Sequence, residues 1–275
     1  MISVIIPSYN AAGYIKSAIE SVLKQSHEDF EIIVIDDAST DDTARIVKSY
    51  SGDARMAYKK IPRGGTSRAK NIGIDMSKGN LIAFLDSDDI FLPGKLEKQA
   101  EFLTKNSRYG LCYTDEVFFS DNSRGETGSA NFHFSGDVFY YLKRSNFISL
   151  PTVMIRKNIL GATPFDEGLK GHEDWDLFLR LAREGVRFGY LDEPLSKIRV
   201  RHTSATFDKS MMDATRREVG LRAKKYWKSF KSEMSIFSLK GWRAITRYLK
   251  FKIGAFLLGF PKKACFKRPV PQEIV

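Results

Sequence analysis

Three carboxylates fall within four positions at Asp86-Ser87-Asp88-Asp89, directly after the apolar run Leu81-Ile82-Ala83-Phe84-Leu85. Such crowding is electrostatically costly unless a cation neutralises it, and a hard divalent ion is the natural partner. Alternation along an extended backbone puts Asp86 and Asp88 on one side, facing one ion that also holds a diphosphate. Helix capping before Pro93 is the plain alternative, and Asp89 suits it best.

Asp36-Asp37 repeats the arrangement after Ile32-Ile33-Val34-Ile35, where a carboxylate can accept hydrogen bonds from ribose hydroxyls or a base N–H. Pro7 and Tyr9, after Val4-Ile5-Ile6, offer an apolar and aromatic surface against which a base can lie. Gly64-Gly65-Thr66-Ser67-Arg68-Ala69-Lys70-Asn71 is a donor-rich turn opening a helix and can meet phosphate, although its glycines also fit an ordinary left-handed turn. It is not a Walker loop, and no G-x-G-x-x-G stands between strand and helix.

Glu173-Asp174-Trp175-Asp176 opens a helix, and its acids are favoured there by the helix dipole. The dipole is expected to keep such a carboxylate ionised, as a general base must be. Arg201-His202-Thr203 follows a strand-like Leu195–Val200, from which His202 could reach a metal or diphosphate or lie on the surface.

The elements that position these residues follow from periodicity. Continuous apolar runs suit strands covered on both faces, and between them lie helical patterns at Tyr14–Leu23, Asp41–Tyr50 and Ser67–Met76. Alternation of this kind predicts a Rossmann-like, mostly parallel α/β sheet, and ligands bind such sheets beyond the carboxyl ends of the strands. Later come a strand over Thr152–Ile155 and a strong helix over Glu173–Glu184.

The chain has 275 residues, 43% hydrophobic, enough for one large domain and an appendage. Cys112 and Cys265 are far apart and suit a reducing compartment. The first residues run straight into an apolar strand pattern without a signal-peptide start, which predicts a cytoplasmic location. The net charge of +11 divides into +12 for residues 222–275 and −1 for the rest, which argues against a basic nucleic-acid groove and for a tail that meets an anionic surface.

Together, Ser3-Val4-Ile5-Ile6-Pro7-Ser8-Tyr9-Asn10, Val34-Ile35-Asp36-Asp37-Ala38-Ser39, Phe84-Leu85-Asp86-Ser87-Asp88-Asp89 and Glu173-Asp174-Trp175-Asp176-Leu177 closely resemble the family 2 glycosyltransferases, over about residues 1–205. The resemblance implies a GT-A fold, with a nucleotide-binding half at 1–110 and an acceptor-binding half at 111–205. It implies inverting transfer of one sugar, a hexose or N-acetylhexosamine, from a nucleoside diphosphate sugar, usually a UDP-sugar. Donor-binding residues are then Pro7, Tyr9, Asp37 (at the base), Lys70, Asn71, Asp86, Ser87 and Asp88. Asp86 and Asp88, with His202 as a further candidate, take Mn2+ or Mg2+, and Asp174 matches the catalytic base. Glu173, Trp175, Arg201 and His202 are candidates for acceptor or diphosphate contact. Lys70 stands where many relatives have arginine, and no Q-x-x-R-W signature is present, which disfavours a processive synthase.

Residues 206–275 read as a basic helical extension. Trp242, Ile245, Leu249, Ile253, Phe256 and Phe260 share one helical stripe and Lys240, Arg243, Arg247 and Lys250 the opposite side, suiting either an anionic bilayer surface or a protein partner. A peripheral enzyme on the cytoplasmic face, acting on a saccharide or lipid-linked saccharide in surface polysaccharide synthesis, is the expectation. A catalytically silent nucleotide-sugar-binding adaptor and a sugar nucleotidyltransferase are the competing classes.

Overall fold

The computed structural model describes residues 1–121, 127–128, 133–201 and 208–236, with side chains through 227. Its first half alternates strand and helix: β1 (Ile2–Ser8), α1 (Ile15–Leu23), β2 (Phe30–Asp37), α2 (Thr43–Lys48), β3 (Met56–Ile61), α3 (Thr66–Met76) and β4 (Leu81–Phe84). The second half adds β5 (Ile90–Phe91), α4 (Lys95–Lys105), β6 (Leu111–Phe119), β7 (Thr127–Gly128), α5 (Phe139–Leu142), β8 (Met154–Arg156), α6 (Glu173–Arg183), β9 (Phe188–Arg199) and α7 (Lys209–Ile236).

One sheet runs through the molecule in the order β3-β2-β1-β4-β8-β6-β9-β5, with β7 paired to β6. The first four strands are all parallel, whereas β8 is antiparallel to both β4 and β6. The parallel reading therefore holds for β1 to β4, and the sheet as a whole is mixed. Strand β3 escapes periodicity because Met56–Ile61 is a half-exposed edge strand without a continuous apolar run.

Burial on both faces follows from the apolar runs. Along β1, Val4 and Ile6 enter one core cluster with α1 residues Ile15 and Ile19, while Ile5 enters another with Phe84, Phe165, Trp175 and Phe178. Helix α3 lies so close to β1 that a Cβ on Gly73 would sit 2.4 Å from Ile5 Cγ2. That approach fixes the height of α3, and of Lys70 on it, against the sheet.

Helix α7 begins as part of the body. Val219 and Ala223 are buried in the same cluster as α6, and Arg222 pairs with Asp166 at 2.7 Å and Asp176 at 3.3 Å. The basic extension is thus anchored to the body of the fold around Val219–Ala223. The stripe from Trp242 to Phe260 lies outside the described residues.

Ile5 is fully buried and cannot swing away, so Gly73→Ala overpacks the α3–β1 contact. Chemical denaturation is expected to show a loss of about 1–3 kcal/mol.

Candidate active site

Strands β1, β2 and β4 end at one edge because they are parallel and in register. Ser8 pairs with Asp36, and Ile5 pairs with Phe84, two residues before Asp86. The chain leaves β1 and β2 through left-handed residues, Asn10 at φ 47° and Ala38 at φ 63°. These two turns are locked to each other: the Asn10 N–H donates to Ser39 Oγ at 3.0 Å and the Thr40 N–H to Asn10 Oδ1 at 2.9 Å.

The two acids of β2 have different tasks. Asp36 accepts from the Ser39 N–H at 2.8 Å and from Tyr58 Oη–H at 2.7 Å, so it closes its own turn and ties β2 to β3. Asp37 reaches forward to the glycine turn, accepting from the Gly64 N–H at 2.6 Å, the Gly65 N–H at 2.9 Å and Arg63 Nη1 at 2.8 Å. The same guanidinium lies 3.3 Å from the ring centroid of exposed Tyr9. Arg63 adjoins the glycines that drew attention in the sequence, but nothing local marks it as the residue that covers Tyr9 and Asp37.

The Asp86–Asp89 segment is a turn closed by an Asp89 N–H to Asp86 carbonyl bond of 3.0 Å, which corrects the extended-strand alternation expected for it. Asp89 is no helix cap either, since α4 starts after Gly94. Its carboxylate is buried and accepts the Arg199 N–H at 2.8 Å, tying β9 to the site. Asp88 Oδ2 accepts from Arg201 Nε at 2.8 Å and Nη2 at 2.5 Å, so Arg201 holds an acid of the cluster in this structure. Ser87 is half-buried between them. Among the described residues no group hydrogen-bonds the Asp86 carboxylate, and burial, with Asp88 and Glu173 adding to it, pushes its carboxyl upward against the pull of Lys70. His202 lies outside the described residues.

Helix α6 delivers Asp174 to the same edge. Lys70 on α3 and Glu173 on α6 form an ion pair of 2.7 Å, both almost fully buried. Lys70 is therefore committed beneath the site rather than held out toward a phosphate. Asn71 is likewise spent: its amide donates to the Phe165 carbonyl at 2.8 Å and Glu167 at 3.1 Å, and its oxygen accepts the Phe165 N–H at 3.0 Å. Trp175 is a core residue whose indole N–H donates to the Leu142 carbonyl at 2.7 Å. Glu173 is engaged by Lys70 in this structure.

Asp174 is half-buried, with Oδ1 accepting its neighbour's Trp175 N–H at 2.7 Å and Oδ2 accepting from Asn146 Nδ2 at 3.3 Å. Burial, reinforced by Glu173 and opposed by Lys70, pushes its carboxyl up to about 7. The helix dipole was expected to hold this acid ionised; desolvation outweighs it. Asn146, in a loop without periodic pattern, offered no sequence signal.

Comparison with known proteins now adds to this geometry. The sequence model described as Glycosyl transferase family 2 matches residues 3–161. A Rickettsia bellii protein, described as an uncharacterized glycosyltransferase, is 36% identical over 206 residues, 75% of this chain and 30% of its own length. A Bacillus subtilis protein provisionally assigned as a teichuronic acid biosynthesis glycosyltransferase is 32% identical over 213 residues, 76% of this chain and 82% of that one. The chain spans about a third of the length of its relatives from Rickettsia bellii, Rickettsia felis and Rickettsia conorii. Among solved structures, S. aureus TarS 1-349 in complex with UDP-GlcNAc superimposes with a TM-score of 0.64 at 22% identity, covering 83% of this chain and 71% of that one, a likeness of fold.

A carboxyl raised from 3.8 to about 7 on folding costs stability once pH exceeds the unfolded value, and the cost grows until the folded value is passed. Asp174→Asn removes it. The variant is expected to be more stable than the parent by about 1–3 kcal/mol at pH 8, the gain shrinking toward pH 4, as read by denaturant titration across pH.

Proposed function

The chain belongs to the family 2 glycosyltransferases, and from that premise we propose that it transfers one sugar, with inversion, from a nucleoside diphosphate sugar to a hydroxyl of a saccharide or lipid-linked saccharide. The observation that carries the proposal is Asp174: a carboxyl poised near neutrality, held by two N–H donors, and electrostatically coupled to Asp86. A base is most effective when its pKa lies near the working pH.

In this reading the acceptor hydroxyl gives its proton to Asp174 as its oxygen bonds to the anomeric carbon. The bond from that carbon to the diphosphate oxygen breaks on the opposite face, releasing the nucleoside diphosphate. The single displacement inverts the centre. Asn146 and the Trp175 N–H keep the carboxylate oriented, and the Lys70–Glu173 pair beneath it limits charge accumulation.

A hard cation fits the residues present, because the Asp86 carboxylate lacks a protein hydrogen bond among the described residues while like charges press on it. Asp86 and Asp88 would hold Mn2+ or Mg2+, which neutralises the departing diphosphate when bound. Arg201, released from Asp88, is then available to the same diphosphate. A UDP-sugar is the preferred donor, on the strength of the exposed Tyr9 ring and the Asp37 carboxylate, both of which Arg63 contacts, and of the ligand in the TarS complex.

Two experiments test the proposal. With a nucleotide-sugar panel and Mn2+, Asp174→Asn is expected to lose transfer by at least about 100-fold. The parent's kcat/KM should fall about tenfold per pH unit below pH 7 and level off above, because the base works only when deprotonated; activity unchanged in Asp174→Asn would remove Asp174 from the chemistry.

We propose further that the basic extension holds the enzyme peripherally at the cytoplasmic face of a membrane. No helix among the described residues is long and apolar enough to cross one. Because α7 packs into the body, the informative truncation ends after Ile236 rather than before the helix. Full-length protein is expected to float with vesicles containing phosphatidylglycerol and the truncated form to remain below; equal flotation of both would exclude the extension as the anchor.

A further inference from the structure

The base surface at Tyr9 and Asp37 is already covered by a side chain of the protein itself. Arg63 lays its guanidinium 3.3 Å from the Tyr9 ring centroid, a stacking separation for two planar groups. From that position its Nη1 donates to Asp37 Oδ2 at 2.8 Å and also approaches the Asp37 carbonyl at 3.3 Å. A flat group that stacks on an aromatic face while presenting an N–H to the carboxylate beside it reproduces what a nucleobase would do there.

We infer that Arg63 is a built-in stand-in for the base, a gate over the nucleoside subsite that an incoming nucleotide must displace. The inference rests on the reading of Tyr9 and Asp37 as the base site. Its physical basis is independent of the rest of the chemistry.

The geometry favours displacement over a fixed structural clamp. Asp37 is 4% exposed and stays anchored without Arg63, because the backbone N–H groups of Gly64 and Gly65 hold one oxygen each. The Arg63 side chain is 54% exposed, so its own charge stays solvated when it swings out, and the Asp37 carboxylate left behind keeps its two backbone N–H donors. It sits directly before Gly64 and Gly65, the latter at φ 89°, so the residues that let the turn approach Asp37 also carry the gate. Its release exposes an aromatic ring and a free lone pair of a buried carboxylate together, the two features a base edge bearing an N–H requires.

The gate weakens nucleotide binding in proportion to the time it is closed. A contact that holds the covered form nine times in ten lowers the apparent affinity about tenfold, with no effect on any later step. The displacement cost is incurred equally in the ground and transition states, so removing the gate changes KM for the donor and leaves kcat alone.

The test is calorimetric titration of the full chain with UDP, dTDP, GDP and CDP in Mn2+, comparing the parent with Arg63→Ala and Arg63→Met. Methionine keeps the length of the stem but has neither the charge nor the N–H. Both variants are expected to bind the preferred nucleotide roughly tenfold more tightly than the parent. Tyr9→Ala in either background should weaken binding. If one nucleotide binds the parent and both Arg63 variants bind it equally or more weakly, Arg63 is a second leaf over the base or a bystander, and the gate is wrong while the donor reading survives. Binding of no nucleotide by any of the proteins overturns the base-site reading and the gate with it.

Discussion

Lys70 and Glu173 meet at 2.7 Å with both side chains nearly out of solvent, and the edge of the sheet is organised around that pair. Lys70 rides on α3, pinned to β1 by the Gly73 contact, while Glu173 opens α6, whose next residue is Asp174. The pair therefore sets the distance between the nucleotide-binding half and the helix that carries the proposed base. It also places one buried positive charge among Asp86, Glu173 and Asp174, favouring the ionised form of acids whose carboxyls burial and mutual repulsion push upward. Removing one partner of such a pair leaves an uncompensated charge, typically at about 3–5 kcal/mol.

The remaining acids at this edge mostly have partners of their own. Asp37 holds Arg63 and two backbone N–H groups, Asp88 holds Arg201, and Asp89 holds the Arg199 N–H. Two consequences follow. The crowding of carboxylates that looks prohibitive along the chain is distributed among cations arriving from elsewhere. Asp86, whose carboxylate no group among the described residues hydrogen-bonds, is the acid left to interact with something that is not protein. The arginines on Asp37 and Asp88 occupy places that a base and a cation would take, so ligand binding exchanges one set of charge-assisted contacts for another rather than filling a neutral cleft.

Much of the frame was legible because it depends on short-range pattern. Continuous apolar runs around Ile5, Val34 and Ile82 predicted strands buried on both faces, and the acids after them fell at strand ends without further information. Helix α6 was visible in the stripe of Trp175, Phe178, Leu179 and Ala182. Strand β3 was not visible, since a half-exposed edge strand lacks the continuous apolar run. The antiparallel insertion of β8 between β4 and β6 was not visible either, since strand direction is decided by connections rather than composition.

By itself the sequence placed Asp36-Asp37 and Asp86–Asp89 at strand ends and, through four ordered motifs, indicated the family that the matching model and relatives then established. The tertiary structure decided what each residue does there. Lys70 is separated by 103 positions from Glu173, Asn71 by 94 from Phe165 and Asp88 by 113 from Arg201, so no local spacing could reveal that these groups are already engaged. The same holds for Asp174: its place in a helical first turn is a local fact and suggests an ionised acid, whereas its carboxyl near 7 comes from burial and from neighbours brought in by the fold. Desolvation and long-range charge pairing are properties of three-dimensional packing, and they set Asp174 apart within a row of acids.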